Sequence, residues 1–299
     1  MCAQKLSHDE NWPRANTLFT AGLNASDFAL IGIPAHKSSL SPTSANLTPT
    51  AIREALARYS TFAGSTKTDL TKLAMVDLGD VTDPDFADGE AKVAAAVENL
   101  LASHKLVMAL GGDNSITYSV ARGLWRDLSN VGVITFDAHH DLRDGQSNGS
   151  PIWRLIEAGL PGKNIVQIGS SDFANSAAYS KRAEDNGITV IDRAMMRSQS
   201  IEKIVTDALA IAGANGREIY VDVDVDVCDR SVAPACPASV PGGITADEIR
   251  NAVRLVAKDS RVRAIDITEI DAALDTPDQR TIRLAALLVL EAAAGVASR

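Results

Sequence analysis

Short apolar runs alternate with longer mixed segments along most of this chain. Apolar runs of roughly four to eight residues that end at glycine, proline or polar clusters are typical of buried strands. Strands that alternate with helices predict a mostly parallel, doubly wound sheet with helices on both faces. We therefore expect an α/β fold, whose predicted strands are 28–33, 73–76, 106–110, 131–136, 164–169, 188–191, 218–227 and 262–270.

The segments between these runs predict helices, and two of them carry clear start signals. Thr48 offers a capping hydroxyl and Pro49 suits the first helical position. The sequence TADE at 245–248 has the capping-box pattern. The predicted helices are 48–59, 91–103, 115–127, 176–186, 201–212 and 245–258, with two more that begin near residue 151 and after residue 277. Residues 36–47 and 81–89 predict loops, and residues 1–24 predict an irregular polar arm before a single domain at 25–299.

Polar clusters occur at the ends of three predicted strands. They are the sequences GGDN at 111–114, DAHHD at 137–141 and DVDVD at 222–226. Ligands of doubly wound sheets bind at the carboxyl ends of the strands. This shared placement is the reason to group the three clusters into one site.

The first metal-type pattern is Asp137, His139 and Asp141, which are spaced two residues apart. Side chains of a strand alternate between its faces, so the three point the same way if strand geometry persists, and His140 points away as a bystander. Two carboxylates and an imidazole suit Mn²⁺, Fe²⁺ or Zn²⁺. The alternative is a strand end with solvated acids.

The second pattern is Asp222, Asp224 and Asp226, which also face one way, while valines flank each aspartate. Three carboxylates on one strand face repel one another unless a cation neutralises them or water reaches them. The alternative is a solvated edge strand. Because both patterns occur in one chain, we predict a two-metal site. Metals about 3.5–4 Å apart lower the pKa of a shared water, which suits hydrolysis of an unreactive carbon centre.

Other kinds of site lack their signatures. No Lys-Ser/Thr follows GGDN and GxGxxG is absent, so nucleotide binding is rejected, and the glycines are interpreted as letting the backbone turn close to the metals. A GxSxG nucleophile motif is absent too. The net charge of -9 without a Lys/Arg cluster disfavours nucleic-acid and membrane partners. A polar N-terminus, no long apolar stretch and three cysteines without CxxC spacing favour a cytoplasmic protein with free thiols.

Together these motifs resemble the ureohydrolase superfamily of arginases, agmatinases and formimidoylglutamases. GGDNSI, DAHHD and DVDVD are followed by the pair Cys228–Asp229, by PGG at 241–243 and by ITE at 267–269, in the order and spacing of that superfamily. The resemblance runs from about residue 28 to residue 295. It implies a three-layer α/β/α fold with a sheet of eight strands and a site for two Mn²⁺ ions. It also implies a homo-oligomer, a trimer or a hexamer.

The resemblance assigns a role to each motif residue. Asp137 and Asp224 would bridge both metals, Asp141 would complete one site and assist proton movement, and His139 and Asp226 would complete the other. Asn114 falls where the superfamily usually has a histidine ligand, and Glu269 matches the acid that contacts the guanidino or imino group. An amide oxygen is a weaker, neutral ligand that favours harder ions. The metal beside Asn114 would then be held loosely or replaced by Mg²⁺ or Ca²⁺, and a non-catalytic protein is an alternative.

The substrate side of the site departs from arginases and agmatinases. Asn148 replaces the histidine that assists proton transfer there, and the segment 169–176 lacks the acids that bind an α-amino group. Arg143 offers a bidentate donor for a carboxylate, although a surface cation is an equal alternative. Residues 148–151 and 173–176, which include Asn175, resemble the formimidoylglutamase branch.

The implied substrate-binding residues are therefore Arg143, Asn148, Asn175 and Glu269, with Asp141 and Glu269 as catalytic residues. The implied reaction converts N-formimidoyl-L-glutamate and water to L-glutamate and formamide in histidine degradation. The alternative within the superfamily is an agmatinase or another guanidino ureohydrolase that releases urea.

Overall fold

A computed structural model describes residues 9–299, and its core is one sheet of nine strands. Every neighbouring pair in this sheet is parallel. The sheet strands are β1 (Phe19–Thr20), β2 (Ser26–Ile33), β5 (Met75–Asp80), β6 (His104–Gly111), β7 (Val131–Phe136), β8 (Ile165–Ser170), β9 (Thr189–Asp192), β10 (Glu218–Asp224) and β11 (Val262–Thr268); β3 (Phe62–Ala63) and β4 (Thr68–Asp69) form a separate hairpin. The order across the sheet is β1-β5-β2-β6-β11-β10-β7-β8-β9.

Helices cover both faces of the sheet. They are α1 (Thr48–Leu56), α2 (Phe86–Val97), α3 (Leu100–Ser103), α4 (Ile116–Leu124), α5 (Pro151–Glu157), α6 (Ala177–Asp185), α7 (Arg193–Met196), α8 (Ile201–Ala212), α9 (Ala246–Lys258) and α10 (Arg280–Val296). One apolar core lies beneath α1, α8, α9 and α10, and the other lies beneath α2, α4, α5 and α6. Within β7, Ile134 and Phe136 belong to the first core, and Val131 and Val133 belong to the second. Both faces of the strand are therefore buried, which explains its continuous apolar run.

The predicted three-layer parallel fold is confirmed, but the number of strands and the form of the arm differ. The ninth strand is β1, which lies in the segment predicted to be irregular and pairs with β5. The residues before it, Ala15–Leu18, form a 3-10 helix, and its two end residues are buried against the first core. Because only one side of this segment is buried, its sequence predicted a polar arm. Residues 1–8 of the predicted arm lie outside the described residues.

Several element ends also differ from the prediction. The loop predicted at 81–89 is shorter, because α2 begins at Phe86. The helix predicted at 91–103 breaks at Asn99, whose φ of 70° is left-handed. Thr48 is the first residue of α1 rather than its N-cap, and its hydroxyl donates to the carbonyl of Ile270 at 2.5 Å. The capping box of α9 is present, with Thr245 and Glu248 bonded reciprocally.

The predicted long strand at 218–227 ends early. β10 stops at Asp224, and the 3-10 helix Val225–Val227 follows. The side-chain alternation of a strand therefore does not extend to Asp226. Cys228 and Cys236 are buried and form no disulfide, whereas Cys2 lies outside the described residues. No helix among residues 9–299 is both long and apolar enough to cross a membrane.

The carboxyl ends of β6, β11, β10 and β7 lie side by side in the sheet. The polar clusters therefore meet at one edge, although they come from distant parts of the sequence. Gly112 follows β6 and connects two of these ends. Its carbonyl accepts from the backbone N–H of Glu269 at 2.9 Å, and its own N–H donates to the carbonyl of Ile33 at 3.1 Å.

Gly112 also sits where no larger residue fits, because a Cβ atom there would overlap the backbone carbonyl of Ala35. We expect Gly112→Ala to lower the free energy of unfolding by about 1–3 kcal/mol, the usual cost of overpacking a tight site. Gly64→Ala is the matched control, since nothing lies within 4 Å of a Cβ at that position. Urea denaturation measures both variants. Equal stabilities for the two would contradict the assigned close approach.

Candidate metal centre and pocket

Three predicted ligands come together at the carboxyl ends of β7 and β10. Ligand atoms of Asp137, His139 and Asp226 all lie within 4.8 Å of one another. His139 Nδ1 is 2.7 Å from Asp226 Oδ2 and 3.5 Å from Asp137 Oδ1. Both carboxylates are only 1% exposed. This is the only such group of three among residues 9–299.

Backbone hydrogen bonds hold the ligands in place. Asp226 Oδ1 accepts from the N–H of Ala138 at 2.8 Å, and Asp137 Oδ1 accepts from the N–H of His139 at 2.6 Å. Asp224 Oδ1 accepts from the N–H of Asp226 at 2.8 Å. Each of these carboxylates thus keeps one oxygen on the backbone and leaves the other for the centre of the cluster.

Asp137 Oδ2 is buried without a hydrogen-bond partner among the described residues, and Asp226 Oδ2, also buried, has only the contact with His139 Nδ1. Such oxygens are costly to bury unless a cation or a proton satisfies them. Carboxylate and imidazole donors suit Mn²⁺ and similar divalent ions. The residues therefore fit a divalent cation by their chemistry as well as by their proximity.

The surplus of buried negative charge shifts the acids of the site. Burial, followed by the charge of neighbouring aspartates, raises the pKa of Asp137 and of Asp224 well above the usual range. Burial raises the pKa of Asp141 to about 7. Burial lowers the pKa of His139, but its hydrogen bond with Asp226 outweighs this and raises it to about 9. These raised pKa values favour the protonated form of the acids, whereas binding of a cation would favour their carboxylates.

Asp141 and Asn114 lie beside this group in a strained arrangement. Asp141 has a left-handed φ of 52°, which costs a non-glycine residue about 1–3 kcal/mol. Asn114 Nδ2 donates to Asp141 Oδ2 at 2.6 Å. Its Oδ1 accepts from the hydroxyls of Thr117 at 3.0 Å and Thr268 at 2.9 Å. A rotation of the amide by 180° would turn the oxygen toward the acids, and the two hydroxyls could then accept from the nitrogen.

Glu269 has a left-handed φ of 63° and is buried at the end of β11. Its Oε1 accepts from the N–H of Asn114 at 2.8 Å and from Asn148 Nδ2 at 2.8 Å. Burial, followed by the charge of Asp113, raises its pKa to about 8. Asn148 Oδ1 in turn accepts from the N–H of Leu40 at 3.0 Å. Asn148 therefore joins Glu269 to the loop at the mouth of the pocket.

A pocket of about 360 Å³ opens above these groups. Its lining includes the acids Asp141, Asp224, Asp226 and Glu269, and also Arg143, which is an exposed residue. The Arg143 guanidinium makes no hydrogen bond or ion pair within residues 9–299, and its stem packs on Gly149, where a Cβ would lie 2.8 Å from Arg143 Cδ. A larger cleft of about 720 Å³ lies at the amino ends of the strands, away from the acidic cluster.

The sequence matches the model of the Arginase family over residues 26–295. The chain belongs to the arginase family. It is 37% identical over 278 residues to a formimidoylglutamase of Halalkalibacterium halodurans, which covers 90% of this chain and 87% of the relative. The crystal structure of formimidoylglutamase from Bacillus subtilis matches with a TM-score of 0.92 and 32% identity, over 99% of this chain and 95% of that one. Formiminoglutamase of Trypanosoma cruzi, crystallised with two Mn²⁺ ions, matches with a TM-score of 0.88 and 26% identity, over 96% of this chain and 99% of that one.

These comparisons confirm the predicted family, the predicted fold and the prediction that the chain is a hydrolase. Asp222, Asp224 and Asp226 were predicted to share one face of a strand, but Asp222 lies apart from the other two. Asp222 does not line the pocket; it lies deeper, with both carboxylate oxygens buried and without a hydrogen bond to a described residue. Burial and the neighbouring Asp266 raise its pKa well above the usual range. The predicted face of three aspartates is therefore incomplete.

Asn175 lines the pocket, but its amide is engaged by the backbone rather than free for a ligand. Its Oδ1 accepts from the N–H of His140 at 2.9 Å, and its Nδ2 donates to the carbonyl of Ala138 at 3.0 Å. The structure thus favours a supporting role over the predicted contact with substrate. Two wall residues that the sequence did not single out are Ser176, the N-cap of α6, and Tyr179.

Proposed function

We propose that this chain hydrolyses N-formimidoyl-L-glutamate to L-glutamate and formamide with two bound Mn²⁺ ions. The observation that carries the proposal is the polarity of the pocket. Buried acids and the exposed Arg143, whose guanidinium is unpaired among residues 9–299, line the same pocket. The similarity to formimidoylglutamases of two bacteria supports the same substrate.

This polarity complements the proposed substrate better than agmatine. The formimino group is basic, so its cation suits the buried acids, while a substrate carboxylate can receive two parallel N–H donors from Arg143. Agmatine carries a second cation in place of a carboxylate. An ammonium group beside Arg143 would be repelled, which disfavours the agmatinase alternative.

We propose the predicted residues as the metal ligands. Asp137 and Asp224 would contact both ions, and the remaining ligands are His139, Asp226, Asp141 and Asn114. When bound, the two cations act as Lewis acids and lower the pKa of a water molecule toward neutrality. In this assignment Asn114 is the one neutral oxygen donor, and it requires the rotated orientation of its amide.

The chain itself orients the substrate and moves the proton. Glu269 Oε1 is occupied by Asn114 and Asn148, so its Oε2 is the oxygen available to accept from the imino N–H. Water adds to the formimino carbon, and the bond from this carbon to the glutamate nitrogen breaks. One water proton ends on the imino nitrogen, and Asp141 carries the other to the leaving amine. The water oxygen becomes the formamide oxygen.

A substrate panel tests the proposal directly. Mn²⁺-loaded protein is incubated separately with N-formimidoyl-L-glutamate, agmatine, 4-guanidinobutyrate and arginine, and glutamate and urea are assayed. We expect glutamate release from the first substrate and little urea from the others. Urea from agmatine or guanidinobutyrate without glutamate release would overturn the substrate assignment. Absence of both bound metal and turnover after Mn²⁺ loading would favour the non-catalytic alternative.

Replacement of Arg143 tests the carboxylate contact. We expect Arg143→Met to reduce kcat/KM for N-formimidoyl-L-glutamate by roughly 10- to 100-fold, the worth of about 1.5–3 kcal/mol for hydrogen bonds to a charged group. The loss should appear mainly in KM, and Arg143→Lys should recover part of it. The control is Arg197→Met, since Arg197 is an exposed arginine that is not part of the pocket lining. Unchanged kinetics in Arg143→Met would remove this contact from the proposal.

Replacement of Asn114 tests its assignment as a ligand. Imidazole is a stronger donor than an amide oxygen for transition ions. We expect Asn114→His to tighten the weaker Mn²⁺ site by about tenfold, or about 1.4 kcal/mol. Isothermal titration of the metal-free protein measures this change. The metal-free variant should also lose stability, because Thr117 and Thr268 lose their shared amide partner. Identical Mn²⁺ titrations would show that Asn114 does not face a metal.

The proposal also includes an oligomeric state. Resemblance to the superfamily leads us to expect a homo-oligomer, a trimer or a hexamer, located in the cytoplasm. Light scattering coupled to gel filtration measures its mass against the 31.6 kDa of one chain. A monomer at the concentration of the activity assay would contradict the expected assembly.

A further inference from the structure

Gln167 is a buried polar residue in the middle of β8, next to the strand that carries the metal motif. It is 1% exposed, and its Cα partner in β7 is Thr135. Its neighbours in β8, Val166 and Ile168, are core residues. Burial of a side-chain amide costs free energy unless its polar groups are hydrogen-bonded. The hydrogen-bond partners of Gln167 therefore indicate its role.

Both polar atoms of Gln167 bind one residue, His140. Gln167 Oε1 lies 2.7 Å from His140 Nδ1, and Gln167 Nε2 donates to the carbonyl of His140 at 2.8 Å. The amide oxygen can only accept, so the proton of the ring is on Nδ1. The pair of bonds holds the ring and the backbone of His140 at the same time.

Every other polar group of His140 is also bonded to the segment around and after β8. Its backbone N–H donates to Asn175 Oδ1, and its Nε2 lies 3.4 Å from the hydroxyl of Ser180. None of these bonds reaches the acidic cluster. His140 points away from the predicted metals as expected, but it is an anchor of the loop rather than a bystander.

The anchored residue lies between two proposed ligands. His139 precedes it, and Asp141 follows it with a strained left-handed backbone. A strained residue keeps its conformation only when its surroundings over-determine it. The bonds to the backbone N–H, the carbonyl and the ring of residue 140 supply this constraint directly beside Asp141.

From these contacts we infer that Gln167 is a positioning residue of the metal centre, which acts through His140 on the placement of His139 and Asp141. It touches neither metal nor substrate. Residues that orient metal ligands from behind change metal affinity by about 10- to 100-fold when they are replaced. The inference rests on the proposed metal site, and it predicts the same order of loss for Gln167→Leu.

The matched control is Asn164→Leu. Asn164 precedes β8 and is also buried, and its Nδ2 donates to the carbonyl of Val131 at 3.1 Å, at the opposite end of β7. Its replacement removes a buried amide of the same kind without contact with the loop at 137–141. Gln167→Glu is a milder companion variant, because a carboxyl group buried at this position is protonated, keeps an acceptor for His140 Nδ1 and can still donate to the carbonyl.

The experiment measures Mn²⁺ affinity by competition with a chromogenic chelator, and the unfolding of each metal-free protein by urea. We expect Gln167→Leu to weaken Mn²⁺ binding about tenfold or more, Gln167→Glu to weaken it less, and Asn164→Leu to leave it unchanged despite a similar loss of stability. His140→Leu should also weaken binding, and the double variant with Gln167→Leu should lose no more than the weaker-binding single variant, since the two side chains act as a unit.

Wild-type Mn²⁺ affinity in both Gln167 variants would overturn the inference while leaving the proposed function intact. Equal loss of affinity in Asn164→Leu and Gln167→Leu would overturn it too, because the effect would then follow general stability. If the wild-type protein binds no Mn²⁺, both the proposed metal site and this inference fail. None of these readouts requires turnover, so they separate loop positioning from substrate choice.

Discussion

The confinement of several buried carboxylates at one end of the sheet is the constraint on which the rest of this structure depends. Asp137, Asp224 and Asp226 are almost fully buried where two central strands end, and Asp141 and Glu269 join them. Buried carboxylates repel one another, and only protons or cations relieve that repulsion. His139 alone supplies little compensation. The geometry of the site is therefore suited to binding positive charge.

Neutral amide groups around the carboxylates hold the site in this geometry. The backbone N–H of Asn114 and the side-chain amide of Asn148 donate to one oxygen of Glu269. The side-chain amides of Asn175 and Gln167 bind the backbone of the loop at 137–141. Amides are suited to this work because they donate and accept without adding charge to a site that already has a surplus. The strained backbones at positions 141 and 269 are maintained by these bonds.

The sequence predicted the centre of the fold well where local patterns were sufficient. The strand at 131–136 and the helix at 201–212 have the predicted bounds, because the apolar run of one and the helical periodicity of the other extend to their ends. Prediction failed for β1, whose two residues have a partner only in the folded sheet. The prediction that the strand continues through Asp226 also failed, because a 3-10 turn follows Asp224.

The roles of the amides show the limit of reasoning from sequence. Asn148 and Glu269 are 121 residues apart, and Gln167 and His140 are 27 apart, so no local spacing relates them. Asn175 is predicted to contact substrate, and only tertiary packing shows that its amide is also hydrogen-bonded to the backbone of the loop at 137–141. By local sequence Arg143 is as consistent with an ordinary surface cation as with a binding residue, and only the fold shows that this exposed residue lines the acidic pocket.

The sequence by itself determined the alternation of strands and helices, the family and the ligand-type residues at the strand ends, since each depends on residues close together in the chain. Only the tertiary structure decided which strand ends adjoin, which aspartate lies too deep to line the pocket, and which amides are hydrogen-bonded to the loop at 137–141. The physical reason is that hydrogen bonds and charge repulsion act through space, and the fold alone brings these distant groups within their range.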